Sequence, residues 1–437
     1  MNTATETAKV RGNGRANKLE AQDRAFHDWY RFVVAFPPHL VRQYIEEFGL
    51  SSGDVILDPF CGTGTTLIEA KLKGVKSYGI EANPFAAFAT SVKVDWSVDG
   101  DALIKEAREI AEVTLRRLRV ERIEDDVPFL GDIRRLPLRG LPESETKLLL
   151  ADSISPLPLH KTLTLLEFIR SNASRRNYRH FALGLSNALV STISNLHFGP
   201  EVGVGKAKKD VAVVGAWLSE VERMSQDVKA CRSTSRGEAE VLFGDARMVD
   251  ELVPLASVDG VITSPPYPNE KDYTRITRLE SVILGYITSR AELQSLKRDL
   301  IRSNTRNVYK GDTDDEWITQ HPEIERIADD IEKRRIELGK TSGFEKLYAR
   351  VTKLYFGGMA RHLAALRRVL KHDARLAYVV GDQASYLRVM INTGQLLGQI
   401  AEALGYGVVR TDLFRTRLAT ATKQQLREEV LVLRWPG

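Results

Sequence analysis

A glycine-containing loop at residues 58–66 has the composition of a ligand-binding turn. It follows a short apolar run and reads Asp-Pro-Phe-Cys-Gly-Thr-Gly-Thr-Thr. Gly62 and Gly64 let the backbone approach a ligand where a Cβ would collide, and free N–H groups at a following helix start favour an anionic or electron-rich group. Leu67 replaces the third glycine of the dinucleotide fingerprint, and no Gly-Lys-Ser/Thr follows, so a dinucleotide loop and a phosphate loop are excluded. A plain tight turn is the alternative interpretation.

Two carboxylates accompany this loop. Asp58 begins it, where an ammonium group would approach the strand end, and Glu81 ends the next predicted strand. A carboxylate about 20 residues further along can accept both hydroxyls of a ribose. A ligand with an amino acid at one end and a ribose beyond it is S-adenosylmethionine, which is the predicted cofactor. In the alternative, both residues are solvated loop acids.

A second distinctive loop contains Ser264, Pro265, Pro266 and Tyr267 and closes another apolar run. Consecutive prolines cannot extend a helix or donate to a strand ladder, so they fix a rigid, extended loop. Ser264 offers a hydroxyl, Pro265 a carbonyl and Tyr267 an aromatic face, which together suit an exocyclic amino group on a planar base. A structural Pro-Pro turn with a packed tyrosine is the alternative.

The elements that must position these loops are parallel strands. Apolar runs at 55–57 and 76–80 flank a helical stretch at 67–73, which is the order of a βαβ unit. Further strands are predicted at 239–243, 258–263, 376–380 and 429–433. The pattern predicts an α/β fold with a doubly wound, mostly parallel sheet whose ligands lie outside the carboxyl edge.

Two long segments interrupt the strand pattern. Both contain apolar residues at helical spacing, including a stretch at 105–124 and another at 324–338. We predict a flexible arm at 1–24, a core made of 25–99, 238–289 and 346–437, and two mainly helical inserts at 100–237 and 290–345.

Together the two loops resemble those of the amino-methylating DNA methyltransferases, which methylate cytosine N4 or adenine N6. Phe36-Pro37-Pro38 is similar to the segment that completes the methionine pocket in this family, and Gly244-Asp245-Ala246-Arg247 to the acidic turn that contacts the cofactor adenine. The resemblance implies a methyltransferase fold, S-adenosylmethionine as cofactor, and catalysis by Ser264, Pro265, Pro266 and Tyr267. The implied cofactor-binding residues are Phe36, Pro37, Asp58, Pro59, Phe60, Gly62, Gly64, Thr65, Glu81 and Asp245.

The same resemblance bears on the target. Ser-Pro-Pro-Tyr most often accompanies cytosine N4 in that family, whereas Asp-Pro-Pro-Tyr usually accompanies adenine N6. It therefore implies methylation of cytosine N4 in a specific DNA sequence, by base flipping and direct in-line transfer. Adenine N6 is the runner-up.

Two further functions are left open. One is an RNA methyltransferase of the guanine-N2 type, although Ser264 and Pro268 depart from the Asn- or Asp-Pro-Pro-Tyr-Gly of those enzymes. The other is a non-catalytic DNA-binding relative, against which the intact loops argue.

The composition of the chain excludes several classes of protein. The chain has 63 Lys and Arg against 58 Asp and Glu, and no run of about 20 apolar residues that could span a membrane. The N-terminus has no apolar signal-peptide centre, so we expect a soluble cytoplasmic protein. Cys61 and Cys231 are too few for a four-ligand zinc site, and no metal is expected. Neither cysteine follows a proline, which excludes the nucleophile needed to methylate cytosine carbon 5.

Basic residues are concentrated in the inserts. Between residues 161 and 210 there are eight Lys and Arg but three Asp and Glu. Because cations contact phosphates, the first insert is the candidate target-recognition region, the second a candidate DNA contact, and double-stranded DNA the predicted partner. A cognate restriction nuclease is a second candidate partner, and solvated helix faces are the alternative interpretation. The candidate DNA-binding residues are Arg175, Arg176, Arg179, Lys208, Lys209, Arg302 and Arg306.

Overall fold

A computed structural model describes residues 19–31, 35–198, 201–231, 236–269, 271–418 and 425–437. Residues 1–18 of the predicted arm lie outside this part. Within the remainder of the arm, Ala21–Asp23 form a 3-10 turn, and buried Asp23 pairs with Arg42 at 3.0 Å. The chain therefore packs on the core before the predicted boundary at residue 24.

The described residues form one large sheet and one small ribbon. The strands are β1 Val55–Asp58, β2 Lys76–Glu81, β3 Leu196–Phe198, β4 Val202–Val204, β5 Ala239–Phe243, β6 Val258–Thr263, β7 Leu370–Gly381, β8 Gly407–Leu418 and β9 Gln425–Arg434. The large sheet has the order β5-β2-β1-β6-β7-β9-β8, and β3 and β4 form the ribbon. Its first five strands are parallel, whereas β9 is antiparallel to β7 and β8. The predicted α/β fold with a mostly parallel sheet is confirmed.

The sheet order fixes where a ligand can bind. From β1 the chain crosses to β2 on one side of the sheet, and it later returns to β6 on the other side. The direction of winding thus reverses between β1 and β6. In open α/β sheets this switch point leaves a crevice at the carboxyl ends of the strands, where ligands bind.

Helices cover both faces of the sheet. The described helices are α1 Pro38–Glu47, α2 Thr65–Leu72, α3 Pro84–Lys93, α4 Gly100–Val120, α5 Glu143–Thr146, α6 Pro156–Asn172, α7 Tyr178–Ala188, α8 Val213–Ala230, α9 Val249–Leu252, α10 Tyr273–Ile276, α11 Arg278–Ile283, α12 Arg290–Asp299, α13 Pro322–Glu337, α14 Tyr348–Leu366 and α15 Thr393–Ala403. Within the described ranges, no helix has both the length and the apolar character needed to cross a membrane.

The six predicted strands are all present, with β7 beginning at Leu370 rather than 376. The sequence prediction missed β8 and the β3–β4 ribbon. β8 is the edge strand of the sheet, and its sequence GVVRTDLFRTRL mixes charged with apolar residues. Edge strands often carry such charges because one side of their backbone meets solvent, and this weakens the apolar pattern that marks a strand.

Each predicted insert packs into an apolar cluster shared with the core. Leu103 on α4 and Trp217 on α8 of the first insert share one cluster with Phe85 on α3. Ile327 on α13 of the second insert shares another with Tyr355 on α14. The inserts are therefore layers of the same folded unit.

The contact between the second insert and α14 is close enough to test. A Cβ added at Gly357 on α14 would lie 1.8 Å from the backbone oxygen of Asp314 in the second insert. Gly357→Ala should lower the free energy of unfolding by about 1–3 kcal/mol, because the insert must shift to admit a methyl group. Gly311→Ala is the matched control, since a Cβ there meets no atom within 4 Å. Urea denaturation of both variants measures the effect, and equal midpoints would contradict this close packing.

Candidate active site

A cavity of about 410 Å³ opens at the switch point of the sheet. Its walls include the loops after β1, β2, β5 and β6, and they bring together residues far apart in sequence. Of the predicted residues, those that line it are Phe36, Pro59, Phe60, Gly62, Thr65, Glu81, Asp245, Ser264, Pro265, Pro266 and Tyr267. Pro37, Asp58 and Gly64 are not among the lining residues.

The glycine loop is held in shape from behind. Gly62 and Gly64 both have positive φ, at 51° and 80°, and a Cβ on Gly64 would lie 2.6 Å from Cγ2 of Thr90. The Thr90 hydroxyl donates to the Gly62 carbonyl at 2.7 Å, and buried Lys93 donates to the Thr63 carbonyl at 2.7 Å. Burial lowers the pKa of Lys93 to about 7. Helix α3 therefore supports the loop, and both glycines are needed for its path.

Asp58 lies beneath this loop. Its side chain is 0% exposed, and its Oδ1 accepts from the Phe60 N–H at 3.1 Å and from the Thr263 hydroxyl at 2.6 Å. Oδ2 is buried without a hydrogen-bond partner among the described residues, and burial raises the pKa of Asp58 to about 6. In this structure Asp58 joins the ends of β1 and β6, and its predicted contact with the ammonium group of a ligand remains a prediction.

Glu81 lies at the cavity wall, and its predicted contact with ribose hydroxyls stays a prediction. Its carboxylate accepts from the Gly62 N–H at 2.9 Å and from the Asn83 N–H at 2.8 Å. Burial is the main reason that the pKa of Glu81 is raised to about 7. The two N–H bonds fix the carboxylate at the wall, where each oxygen retains a lone pair for a ligand hydroxyl.

The second loop projects into the same cavity. The Ser264 hydroxyl donates to the Val379 carbonyl on β7 at 3.2 Å, so its own oxygen is left as an acceptor. The Tyr267 N–H donates to the Tyr273 hydroxyl at 3.2 Å. A Cβ on Gly381 would lie 3.2 Å from Cε2 of Tyr267, so the end of β7 leaves just enough room for this ring. The loop is thus fixed against β7 and α10.

Several polar residues of the cavity were not predicted from the sequence. Lys271, Gln383, Arg415, Arg417 and Glu428 also line the cavity. Arg415 and Glu428 face each other in the register of β8 and β9, and Nε of Arg415 lies 2.5 Å from a Glu428 oxygen. Arg417 donates to the Asp382 carbonyl at 3.1 Å. Arg415 and Arg417 stand two positions apart, so they share one face if this segment is a strand. This signal becomes informative only once β8 is known to be a strand.

His362 packs against the glycine loop from behind, on the side of Phe60. Burial lowers the pKa of His362 to about 4, so the ring is neutral at pH 7. Its Nδ1 lies 2.8 Å from the Ala246 carbonyl and its Nε2 lies 2.7 Å from the Tyr378 hydroxyl. The carbonyl accepts only, so Nδ1 carries the proton. Phe60 packs edge-on against this ring at 4.9 Å, which fixes the Phe60 side of the cavity.

The chain is similar in sequence to known DNA methyltransferases. A family model for N6 and N4 methyltransferases, described as DNA methylase, matches residues 7–90, which hold the glycine loop and Glu81. The Type II methyltransferase M.BsoBI of Geobacillus stearothermophilus is 25% identical over 444 residues, covering 94% of this chain and 83% of that protein. The Type II methyltransferase M.AvaI of Nostoc sp. is 25% identical over 462 residues, covering 97% of this chain and 88% of that protein.

The chain is thus similar to amino-methylating DNA methyltransferases over nearly its whole length. The resemblance stated from its two loops is thereby confirmed. A shorter similarity links it to the tRNA (guanine(10)-N2)-dimethyltransferase of Methanocaldococcus jannaschii, 33% identical over 147 residues, which is 29% of this chain and 42% of that protein. The Type II relatives match nearly the whole chain, including both inserts.

The predicted DNA-binding residues lie outside the cavity. Arg175, Arg176, Lys209 and Arg306 are exposed, whereas Arg179 and Lys208 are half-buried. Arg179 bonds to the Ser91 hydroxyl, and Lys208 bonds to the Thr192 carbonyl at 2.5 Å.

Arg302 corrects the sequence prediction. Its side chain is 4% exposed and pairs with both oxygens of Asp312, at 3.0 and 2.8 Å. A buried guanidinium saturated by internal acceptors cannot reach a phosphate, so the prediction of Arg302 as a DNA contact is wrong.

The half-buried Glu81 makes the stability of the protein depend on pH. Its folded pKa of about 7 lies above the ordinary value of 4.5. The folded protein therefore binds this proton more tightly than the unfolded chain, and the associated stability is present below pH 4.5 and lost as pH rises toward 7. We expect Glu81→Gln to flatten the decline in unfolding free energy between pH 5 and 7, measured by urea titration. Exposed Glu240→Gln is the control, and parallel curves for all three proteins would contradict the assignment.

Proposed function

We propose that this methyltransferase transfers a methyl group from S-adenosylmethionine to the exocyclic N4 of cytosine in a specific DNA sequence. The target base is flipped out of the duplex, and the transfer is direct and in line. The observation that carries the proposal is that one cavity is lined both by Glu81 and Gly62 and by Ser264 to Tyr267.

The part of the cavity at Glu81 and Gly62 suits the cofactor. When bound, S-adenosylmethionine supplies an activated methyl group on a sulfonium. Glu81 offers carboxylate lone pairs for the ribose hydroxyls, and the path of the Gly62–Gly64 backbone brings main chain to the wall without side chains. The cavity volume of about 410 Å³ falls within the range of roughly 300–1,000 Å³ typical of small-molecule sites.

The chemistry at Ser264 to Tyr267 follows from two acceptors. An aromatic amino nitrogen is a poor nucleophile because its lone pair is delocalised into the ring. Ser264 donates its own proton to Val379, so its oxygen can accept one amino hydrogen, and the Pro265 carbonyl can accept the other. These two bonds favour a pyramidal nitrogen whose lone pair is available, and in-line transfer then depends on position and electrostatics. Tyr267 offers a ring on which the flipped base can stack.

Charge differs between the two sides of the cavity. Glu81 and Asp245 follow β2 and β5 on one side of the sheet, Asp299 also lines the cavity, and a ligand carrying sulfonium and ammonium groups is cationic. Arg415 and Arg417 belong to β8 at the other edge of the sheet, where Lys271 adds a third cation and Glu428 of β9 is the acid that opposes them among the described lining residues. A cationic mouth attracts a polyanion, so we propose that DNA enters over the β8–β9 side. Exposed Arg175, Arg176, Lys209 and Arg306 are proposed as phosphate contacts, and a cognate restriction nuclease as a functional partner.

The choice of cytosine N4 rests on Ser264, since adenine-modifying relatives usually carry Asp in the matching position. Adenine N6 remains the second candidate because both amino groups would present the same two hydrogens to Ser264 and Pro265. An RNA target is less well supported, because the similarity to the tRNA enzyme covers 29% of the chain and the Type II relatives cover 94–97%.

The decisive experiment identifies the methylated nucleoside. The protein is incubated with unmethylated bacterial DNA and S-adenosylmethionine, the DNA is digested to nucleosides, and the product is identified by mass spectrometry. We expect N4-methyldeoxycytidine. N6-methyldeoxyadenosine would replace cytosine by adenine as the target, and methylated RNA beside unmethylated DNA would overturn the proposal.

Substitution of Ser264 separates chemistry from binding. Ser264→Ala removes an acceptor that matters most in the transition state, so the activation free energy should rise by roughly 2–4 kcal/mol and turnover should fall accordingly. Cofactor affinity should be unchanged, because Ser264 acts on the amino group. Single-turnover methyl transfer measures the rate, and calorimetric titration measures the affinity.

The matched control is Ser219→Ala. The Ser219 hydroxyl also donates to a backbone carbonyl, that of Gly215 at 3.0 Å, but it lies on α8 and does not line the cavity. A wild-type rate in Ser264→Ala would reduce this loop to a structural turn and remove the catalytic assignment.

A further inference from the structure

The second insert forms part of the cavity wall. Asp299, Leu300, Ile301 and Ser303 lie at and after the end of α12 and line the same cavity as Phe60 and the acidic turn after β5. These residues fall outside the loops that resemble the methyltransferase family. The sequence predicts that this insert contacts DNA. Its position at the cavity is visible only in the tertiary structure.

Arg247 fixes the insert to the acidic turn. Arg247 is 8% exposed, and its guanidinium bonds to Asp245, to Asp314 of the second insert, and to the Arg298 carbonyl at 3.0 Å. One buried cation thus joins the end of β5 to two separate parts of the insert. These contacts fix the geometry of this wall from within the protein.

Arg302 fixes the wall from its other side. Its Nη1 donates to the carbonyls of Lys297 and Arg298, each at 3.1 Å, and to that of Leu300. Three backbone carbonyls on one guanidinium hold residues 297–300 in a single path. The Ser303 carbonyl accepts from Tyr386 at 2.9 Å and fixes the end of the segment.

The two carboxylates on this side of the cavity differ in their partners. The Asp245 carboxylate is hydrogen-bonded to Arg247, which donates to it from its backbone N–H, from Nε and from Nη2, at 2.9, 2.9 and 2.6 Å. Asp299 is exposed to the cavity, and none of the hydrogen bonds and ion pairs found among the described residues uses its carboxylate. Of the two, Asp299 is the acceptor available to a ligand.

We propose that Asp299 accepts a hydrogen from the N6 amino group of the cofactor adenine, with Leu300 and Ile301 forming one wall of the adenine slot. The inference rests on the proposed function, because it presumes S-adenosylmethionine in this cavity. Phe60 supplies an aromatic wall, the two aliphatic residues supply an apolar one, and a carboxylate stands beside them. A flat, apolar ring with an exocyclic amino donor matches these three features. Asp245 then acts as a positioning residue that holds Arg247.

A ligand pair that differs at this amino group tests the assignment. S-adenosylhomocysteine and S-inosylhomocysteine differ in that the second carries a carbonyl oxygen in place of the amino group, together with a hydrogen on the neighbouring N1. Asp299 should favour the first and repel the second, whereas the side-chain amide introduced by Asp299→Asn can donate to the carbonyl oxygen. By calorimetric titration, Asp299→Asn should reduce the preference for the adenine ligand by roughly 10-fold or more, which is the loss expected for one hydrogen bond to a charged group.

Glu316→Gln is the matched control, because Glu316 is an exposed acid of the same insert that does not line the cavity. It should keep the wild-type preference. An unchanged ratio of the two affinities in Asp299→Asn overturns the adenine contact, even if both ligands bind more weakly. Failure of the wild-type protein to bind S-adenosylhomocysteine would instead overturn the proposed function, so the two failures are distinguishable.

Discussion

The site depends on one buried carboxylate that joins two neighbouring strands. Asp58 ends β1, and it accepts the hydroxyl of Thr263 at the end of β6 and the N–H of Phe60 in the glycine loop. Because β1 and β6 are paired parallel strands, their carboxyl ends already lie side by side. The hydrogen bonds of Asp58 also fix the position of the start of one loop relative to the start of the other. A buried carboxylate is costly unless it is hydrogen-bonded, and its pKa of about 6 reflects that cost.

Buried arginines extend this organisation to the second insert. Arg247 and Arg302 are almost fully buried and are saturated by carboxylates and backbone carbonyls. Arginine suits this task because its planar guanidinium presents several donors in a fixed geometry. Removing either partner of such a pair would leave an uncompensated buried charge. The second insert and the acidic turn after β5 are consequently held as one wall of the cavity.

Some of the fold was predictable because its signals are local. An apolar run ending in a polar or glycine residue marks a buried parallel strand, and this is how β1, β2, β5 and β6 were found. β8 was not predicted, because an edge strand is half-exposed and its charged residues interrupt the apolar run that marks a strand. β8 is a strand because it pairs with β9. A local sequence pattern does not encode this contact between two segments.

The sequence by itself determined the two loops and the chemistry that they suggest. The positions of Gly62, Gly64, Glu81 and Ser264 are matters of residue type and spacing, which need no knowledge of distant contacts. Only the tertiary structure decided which charged residues serve the cavity and which serve the core. Arg302 looks like a phosphate ligand in sequence, yet internal acceptors bury it, whereas Asp299 and Arg415 lie at the cavity without any local motif. The physical reason is that burial and partner choice depend on residues brought together by folding, and a single stretch of sequence does not specify them.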